Sequence, residues 1–208
     1  LFLMRSYAEA EQIWCNIKRY KIAPLKYKWL LNPMRFKEIS PKHYLKAFIQ
    51  EHIDFEVLRK SCIPLSIAVT GLNGLQLPRY KVIQLNSLSE NEMIDWIAAS
   101  CTIPIFHKGE KIDNVYYYDG GITTRAPIEG LNFEQLDHVI VVHLDEFAKF
   151  NFMKYRHPKI VNIFPSKYQG LLVKGTYGFT PELAQTRIEL GYRDGLNKFR
   201  LLQESLYD

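Results

Sequence analysis

Apolar side chains near the start of the chain recur at the three- and four-residue steps of an amphipathic helix. They belong to a helix predicted over residues 6–18, with Ser6 as its cap: Ala10, Ile13, Trp14 and Ile17. A second helix is predicted after Ser40 and Pro41, because a serine cap followed by proline at the first helical position favours helix initiation.

The C-terminal end of the chain carries a longer pattern of the same kind. Thr180 and Pro181 open this pattern as a cap and a first helical residue. Apolar residues then follow at four-residue steps, with three at the end: Ala184, Ile188, Tyr192, Leu196 and Phe199. We therefore predict a long C-terminal helix.

Between these helical ends, short apolar runs are typical of β-strands. Residues 64–70 and 80–85 are predicted to pair, with turn residues beginning at Gly71 between them. The strongest run, residues 137–144, has a continuous apolar centre, which predicts burial on both faces as in a parallel sheet. Residues 160–164 form a further predicted strand.

The helix between these strands has clear boundary signals. Ser89 and Glu92 have the spacing of a capping box. Pro104 ends the helix beyond Cys101, because the residue before a proline avoids helical geometry. Helices interleaved with strands predict an α/β fold in a three-layer α/β/α arrangement. At 208 residues, the chain is expected to form a single domain over residues 1–208.

The composition is that of an ordinary globular protein, with 47% hydrophobic and 24% charged residues. Lys and Arg outnumber Asp and Glu by 27 to 22, which gives a net charge of +5. The basic residues are concentrated only between Lys18 and Lys37, where they could favour an anionic lipid or nucleic acid, or form a solvated helix flank. No apolar run approaches the roughly 20 residues that cross a bilayer.

Cysteine usage excludes two classes of protein. Cys15, Cys62 and Cys101 are far apart and odd in number, and no CxxC or Cys/His spacing occurs, so neither a zinc ribbon nor a disulfide framework is supported. Buried free thiols in a reducing compartment are the expectation. Neither G-x-G-x-x-G nor GK[ST] occurs, and we expect no cofactor.

A metal site could be sought at His138, His143 and Asp145, since imidazoles and a carboxylate can converge at a strand end. The two histidines are five residues apart, which places them on opposite faces of a strand. We therefore expect each histidine to meet solvent or a carbonyl at its end of the strand, and we predict no metal site.

The most informative segment is a predicted aromatic strand that is followed directly by one aspartate and two glycines. Residues 116–118 are tyrosines, which favour a strand. Gly120 and Gly121 permit backbone conformations that bulkier residues resist, and they allow another segment to approach closely. Asp119 is thus predicted to be a carboxylate held at a strand end, as an active-site acid requires. An aspartate that bonds its own turn backbone is the alternative.

Few residues could act together with Asp119. His107 could approach it from the preceding loop, whereas Glu110 and Asp113 are second acids by proximity only, with a solvated loop as the alternative. None of the nine serines has the flanking of a G-x-S-x-G elbow. Cys101, at an apolar helix end, is predicted to be a structural thiol. The sequence therefore supplies no evident nucleophile.

Several short blocks of sequence surround Asp119: A-A-S-C-T-I-P-I-F over residues 98–106, Y-Y-D-G-G-I over 117–122 and A-P-I over 126–128. Further blocks are I-A-V-T-G-L-N-G over 67–74, V-I-V-V over 139–142, F-T-P-E over 179–182 and I-E-L-G-Y over 188–192. Together they span most of residues 60–195. In this order, the blocks resemble the C-terminal half of the patatin-like phospholipase domain.

The resemblance implies a serine lipid acyl hydrolase, of the phospholipase A or esterase class, that works through a Ser-Asp dyad. Asp119 would be its catalytic residue, and Gly120 and Gly121 would form the supporting turn. The implied substrate is an acyl lipid or phospholipid, with no nucleic acid partner. The expected location is the cytoplasm, with peripheral contact to a membrane surface left open.

The same resemblance implies that the nucleophile elbow and the glycine-rich oxyanion loop belong to a contiguous N-terminal piece beyond this sequence. We therefore expect a sheet that is incomplete at its N-terminal side, exposed apolar surface and strand edges, and no activity of this chain alone. A shortened polypeptide, a split gene that needs its other half or a fragmentary sequence would each account for this. The alternative function is a degenerate, non-catalytic patatin-like domain that binds lipid surfaces or a protein.

Overall fold

The computed structural model describes residues 7–16, 42–74, 77–104, 108–124, 126–144, 159–168 and 180–207. Its helices are α1 (Tyr7–Cys15), α2 (Lys42–His52), α3 (Phe55–Lys60), α4 (Glu90–Ser100) and α5 (Pro181–Tyr207). Its strands are β1 (Ser66–Leu72), β2 (Arg79–Gln84), β3 (Glu110–Ile112), β4 (Val115–Asp119), β5 (Val139–Val142) and β6 (Ile160–Ile163). Predicted features outside the described ranges are Ser6, Ile17, Ser40, Pro41, His107, Asp145 and the basic residues from Lys18 to Lys37.

Contacts divide the chain into two units, Leu1–Pro127 and Ile128–Asp208. The first unit contains a four-stranded antiparallel sheet in the order β2-β1-β4-β3. The predicted pairing of β1 with β2 is confirmed. The turn predicted over residues 71–74 starts later than expected, because Gly71 is part of β1 and pairs with both Arg79 and Tyr117. Gly74 does lie in a turn, with φ of 57°.

Helix α4 packs on one face of this sheet and confirms its predicted start. Ser89 N–H donates to the Glu92 carboxylate at 2.9 Å, and Glu92 N–H donates back to Ser89 Oγ at 3.4 Å, which completes the capping box. The buried side of α4 joins α2, α3, β1 and β2 in one core, which includes Ile49, Leu58, Val69, Ile83, Met93, Ile97 and Ala98. Burial of these side chains fixes the helix over β1 and β4.

A buried carboxylate links α2 to the sheet. Lys46 lies 2.6 Å from Asp95 of α4 and 3.1 Å from Glu110 of β3. Desolvation alone would lower the pKa of Lys46, but hydrogen bonds and charges from the two carboxylates together raise it. The solvated-loop alternative for Glu110 is therefore wrong, since this residue lies in a strand and is buried.

Lys46→Met is expected to lower the free energy of unfolding by about 1–3 kcal/mol, because Glu110 would keep a buried charge without the Lys46 cation. The expected loss is below that of a fully buried pair, since the Lys46 side chain is 32% exposed. Chemical denaturation at pH 7 measures the loss. Adding Glu110→Gln should recover part of it, and a double variant no more stable than Lys46→Met would contradict the interpretation.

The second unit contains a two-stranded parallel sheet, in which β5 pairs with β6 from Val139↔Ile160 to Val142↔Ile163. Burial of β5 on both faces is not observed, because Val139 and Val141 are buried while Ile140 and Val142 are 51% and 66% exposed. Within the described residues, the exposed side of β5 is therefore uncovered. The expectation of a sheet that is incomplete at its N-terminal side, with apolar surface and strand edges exposed for that reason, stays a prediction.

The two predicted terminal helices form but bury fewer apolar residues than their patterns indicate. Helix α5 starts as predicted, with Thr180 Oγ1 accepting from Leu183 N–H at 3.2 Å. Tyr192, Leu196 and Phe199 are exposed, whereas Leu190 is buried. In α1, Ile13 is buried and Trp14 is 46% exposed. Helices combined with sheets confirm an α/β fold; the three-layer arrangement and the single domain stay predictions.

Candidate active site

Asp119 is the last residue of β4, as the sequence predicts, and it lies opposite Val69 of β1. Its backbone N–H donates to the carbonyl of Thr102, just beyond α4, at 2.8 Å. Pairing with β1 on one side and with the end of α4 on the other fixes the backbone of Asp119. The carboxylate therefore extends from a rigid support.

The carboxylate also makes a local hydrogen bond. Asp119 Oδ1 accepts from Gly121 N–H at 2.8 Å and caps the short 3-10 turn Gly120–Ile122. The alternative prediction, an aspartate that bonds its own turn backbone, is therefore also observed. Among the described residues, the second oxygen of Asp119 accepts no hydrogen bond, so one oxygen orients the group while the other can accept a proton.

Partial burial changes the acidity of this group. Desolvation raises the pKa of Asp119 above its ordinary 3.8, and the hydrogen bond from Gly121 opposes only part of that effect. A carboxylate with a raised pKa is a stronger base than a solvated one. The site therefore holds a half-buried carboxylate suited to accepting a proton.

Gly120 is required by close packing. A Cβ atom at Gly120 would lie 2.6 Å from Ala68 Cβ and 2.7 Å from the Ala68 carbonyl carbon and oxygen. Its φ is not positive; among the described residues only Gly74, Asp113 and Asn114 have positive φ. Of the two predicted reasons for glycine, close approach of another segment is confirmed at Gly120 and an unusual backbone conformation is not.

Two threonines that sequence reasoning did not single out brace the turn. The hydroxyls of Thr70 and Thr123 are 2.9 Å apart, and Thr70 is fully buried. Thr123 N–H donates to the Gly120 carbonyl at 3.0 Å. Thr70 lies within the block over residues 67–74, so that block was the available signal, but only pairing of β1 with β4 brings Thr70 to the turn.

No described serine serves as a partner for Asp119. Ser100, at the end of α4 in the preceding block, donates its hydroxyl to the Ala68 carbonyl at 2.9 Å. In the part of the chain that the structure describes, no hydroxyl donates to the Asp119 carboxylate. The site therefore contains a positioned acid and no serine nucleophile hydrogen-bonded to it among those residues.

Comparison with protein-family models identifies one match, to the patatin-like phospholipase family over residues 1–132. The match covers more than half of the chain and includes Asp119, Gly120 and Gly121. The chain belongs to the patatin-like phospholipase family. A comparison with curated proteins found no match.

Membership in the patatin-like family associates the chain with the lipid acyl hydrolase class. The blocks at 67–74, 98–106 and 117–122 lie within the matched region. The downstream blocks over 139–142, 179–182 and 188–192 lie beyond it and remain predictions. Among the helices that the structure describes, none is long and apolar enough to span a membrane.

The other acids and histidines of this patatin-like chain lie elsewhere. Asp113 is in the exposed turn between β3 and β4, with φ of 49°. His138 is exposed, whereas His143 is buried, with Nε2 2.8 Å from Asn162 Oδ1. The two histidines therefore face opposite ways, as predicted. A search of the described residues finds no group of three or more metal-ligating side chains.

Cys101 adjoins Asp119 but is poorly suited to act as a nucleophile. Solvent reaches part of the residue, yet desolvation of the thiol, followed by the negative charge of Asp119, raises its pKa from 9.0 to about 11. The reactive thiolate is then scarce at neutral pH. This chemistry agrees with the structural role predicted for Cys101. The predicted burial of the cysteines is wrong at residue level, since Cys62 and Cys101 are exposed and Cys15 is half-buried.

We expect Cys101 to react with iodoacetamide at pH 8 roughly 10–100-fold more slowly than a free cysteine, because less thiolate is present. Mass spectrometry of timed alkylation measures the rate at this position. Asp119→Asn should accelerate the reaction by removing a neighbouring negative charge. A rate as fast as that of free cysteine would contradict the raised pKa.

Proposed function

We propose that this chain supplies the acid of a serine lipid acyl hydrolase, in which Asp119 is the base of a Ser-Asp dyad. The observation that carries the proposal is the Asp119 carboxylate at the end of β4, oriented by Gly121 and raised in pKa by desolvation. Its place inside the patatin-like match supports the assignment. Gly120 and Gly121 form the supporting turn.

In the proposed reaction, Asp119 accepts the proton of a serine hydroxyl as the serine oxygen attacks an ester carbonyl. The tetrahedral intermediate collapses to an acyl-enzyme, and the departing alcohol takes the proton. Water then attacks the acyl-enzyme, giving its proton to Asp119, and the serine leaves with that proton as the fatty acid is released. Backbone N–H groups of an oxyanion loop would stabilise the intermediate.

The serine and the oxyanion loop are proposed to lie outside these 208 residues. Two observations support this: no G-x-S-x-G occurs in the sequence, and no described serine donates to Asp119. The chain alone is therefore proposed to be inactive, with an N-terminal segment that carries the elbow as its partner. The proposed substrate is an acyl lipid or phospholipid, reached at a membrane surface, without cofactor or nucleic acid.

The test combines the 208-residue chain with a candidate N-terminal segment that carries G-x-S-x-G and measures hydrolysis of a p-nitrophenyl ester. We expect neither polypeptide to hydrolyse the ester alone and the mixture to do so. A matched mixture with serine replaced by alanine in the elbow is the control. A folded complex without activity would favour the non-catalytic lipid- or protein-binding domain.

A further inference from the structure

A cavity of about 280 Å³ opens on the face of the antiparallel sheet on which Tyr117 packs against Trp96 of α4. It is lined by Gly71, Asn73, Arg79, Tyr80, Lys81, Val115 and Tyr117. This volume falls just below the roughly 300–1,000 Å³ of sites that enclose a whole drug-sized ligand. The cavity, called here the cationic cavity, can therefore hold a small group or one end of a larger molecule.

Sheet register explains why the lining residues other than Tyr80 meet. Gly71 pairs with Arg79 on one side and with Tyr117 on the other, and Lys81 pairs with Val69. Directly paired residues share a face, and so do residues two apart along a strand. Strands β1, β2 and β4 thus direct alternate side chains into the cationic cavity on one face of the sheet.

The cationic cavity exists because Gly71 has no side chain. A Cβ atom at Gly71 would lie 3.0 Å from Tyr117 Cε1 and 3.4 Å from Val115 Cγ1. The Tyr117 ring leans over the glycine and forms one wall, and it also packs edge-on against Trp96 with centroids 4.8 Å apart. The wall is therefore held by the core of the unit rather than by the cavity's occupant.

The side chains that line the cationic cavity carry a positive charge. Arg79 and Lys81 are both exposed, and none of the described residues that line the cavity is acidic. Neither cation makes an ion pair within the part of the chain that the structure describes. Lys81 Nζ is placed over the Trp96 and Tyr117 rings, 5.0 Å and 6.0 Å from their centroids, which positions the charge at the cavity without neutralising it.

We infer that the cationic cavity binds a phosphate group, carried by a lipid headgroup or by a small phosphorylated molecule. Arginine matches phosphate oxygens with paired N–H donors, and lysine adds a point charge. Asn73 also lines the cavity, and its side-chain amide is able to donate a further hydrogen bond. A neutral or cationic ligand would leave both charges uncompensated, so the chemistry favours an anion.

The test titrates the 208-residue chain with inorganic phosphate at constant ionic strength and follows backbone amide shifts by NMR. We expect saturable shifts at Gly71 and Asn73. Arg79→Gln and Lys81→Met should each weaken binding roughly tenfold, as expected for a lost charge-assisted hydrogen bond. Arg79→Lys and Lys81→Arg keep the charge and should retain most of the binding, which separates lost contacts from lost folding.

Lys108→Met is the matched control. Lys108 Nζ lies 5.0 Å from the Tyr116 ring, so the control also removes one cation stacked on a tyrosine of β4. Tyr116 faces the opposite side of the sheet from Tyr117. The control should change phosphate affinity less than about twofold. An equal effect of Lys108→Met and Lys81→Met, or shifts that do not saturate, would overturn the site.

Two further binding experiments decide whether the phosphate belongs to a lipid headgroup or to a small phosphorylated molecule. Stronger sedimentation with phosphatidylcholine vesicles that contain phosphatidic acid, lost in Lys81→Met, would assign a lipid headgroup. Binding of glycerol 3-phosphate without any vesicle preference would assign a small phosphorylated molecule. Asp119→Asn should leave phosphate binding unchanged, so the cavity and the proposed hydrolase function can fail independently.

Discussion

Asp119→Asn is expected to reduce ester hydrolysis by the reconstituted protein at least about 100-fold, since general-base catalysis typically contributes that much or more. The amide cannot accept the serine proton at neutral pH. It still presents an oxygen to Gly121 N–H, so the 2.8 Å hydrogen bond that caps the turn can persist. Lost activity would then reflect chemistry rather than a collapsed turn.

The same variant is expected to be at least as stable as the parent at pH 7. The pKa of Asp119 is raised above 3.8 by desolvation, so the folded state holds its proton more tightly than the unfolded state does. The resulting loss of stability grows as pH rises from about 3.8 to the raised pKa, and it is constant above that pKa. Asparagine carries no charge and avoids this loss.

Paired measurements separate catalysis from folding. Thermal unfolding at pH 7 and near pH 4 should show the advantage of Asp119→Asn shrinking at the lower pH, while ester assays report activity. Asp119→Ala serves as a control, because it also loses the hydrogen bond from Gly121 and should be less stable than Asp119→Asn. Hydrolysis that survives Asp119→Asn would rule out Asp119 as the base.

The activity of the reconstituted protein should also fall as pH decreases through the raised pKa of Asp119, because the protonated carboxyl cannot serve as a base. A pH profile of kcat/KM measures this. In the Asp119→Asn variant, the residual kcat/KM should no longer fall over the pH range in which Asp119 takes up its proton.

Gly120→Ala is expected to lower the free energy of unfolding by about 3 kcal/mol, the upper part of the usual range for overpacking. The new methyl group would sit 2.6 Å from Ala68 Cβ and 2.7 Å from two backbone atoms of Ala68. Ala68 is held in β1 between β2 and β4, so its backbone cannot move away easily. Chemical denaturation of the full chain measures the loss.

Gly195→Ala is the matched control, since no described atom outside its chain neighbours and the nearby backbone of α5 lies within 4 Å of the added methyl group. It should stabilise the chain by roughly 0.5–1 kcal/mol through helix propensity. Adding Ala68→Gly to Gly120→Ala should recover only part of the loss, because the other two close atoms are backbone. A Gly120→Ala protein as stable as the parent would contradict the close approach of turn and strand.

Local signals were read correctly where a few neighbouring residues decide the outcome. The Ser89 capping box, the start of α5 at Pro181 and the strand that ends at Asp119 all formed as predicted. These features depend on backbone donors and propensities within about one turn of the chain. The turn expected from Gly71 starts only beyond Leu72, because pairing of Gly71 with two neighbouring strands outweighs its local turn preference.

Burial was harder to predict, because it depends on which element arrives at each face. The apolar run of β5 indicated two covered faces, yet Ile140 and Val142 are exposed. The sequence predicted that Glu110 lies in a solvated loop, yet Glu110 is buried beside Lys46, which is 64 positions earlier in the chain. No local pattern indicates a partner at such a separation.

The sequence by itself determined the strand, the acid and the glycine turn, because strand propensity and the absence of side chains act within a few residues. It also determined the family resemblance, through blocks whose order can be read directly. Only the tertiary structure decided that Gly120 is needed to pack on Ala68, that burial raises the pKa of Asp119, and that Arg79 and Lys81 share a cavity. Those properties require segments distant in sequence to meet, since close packing, desolvation and clustered charge all belong to neighbours in space.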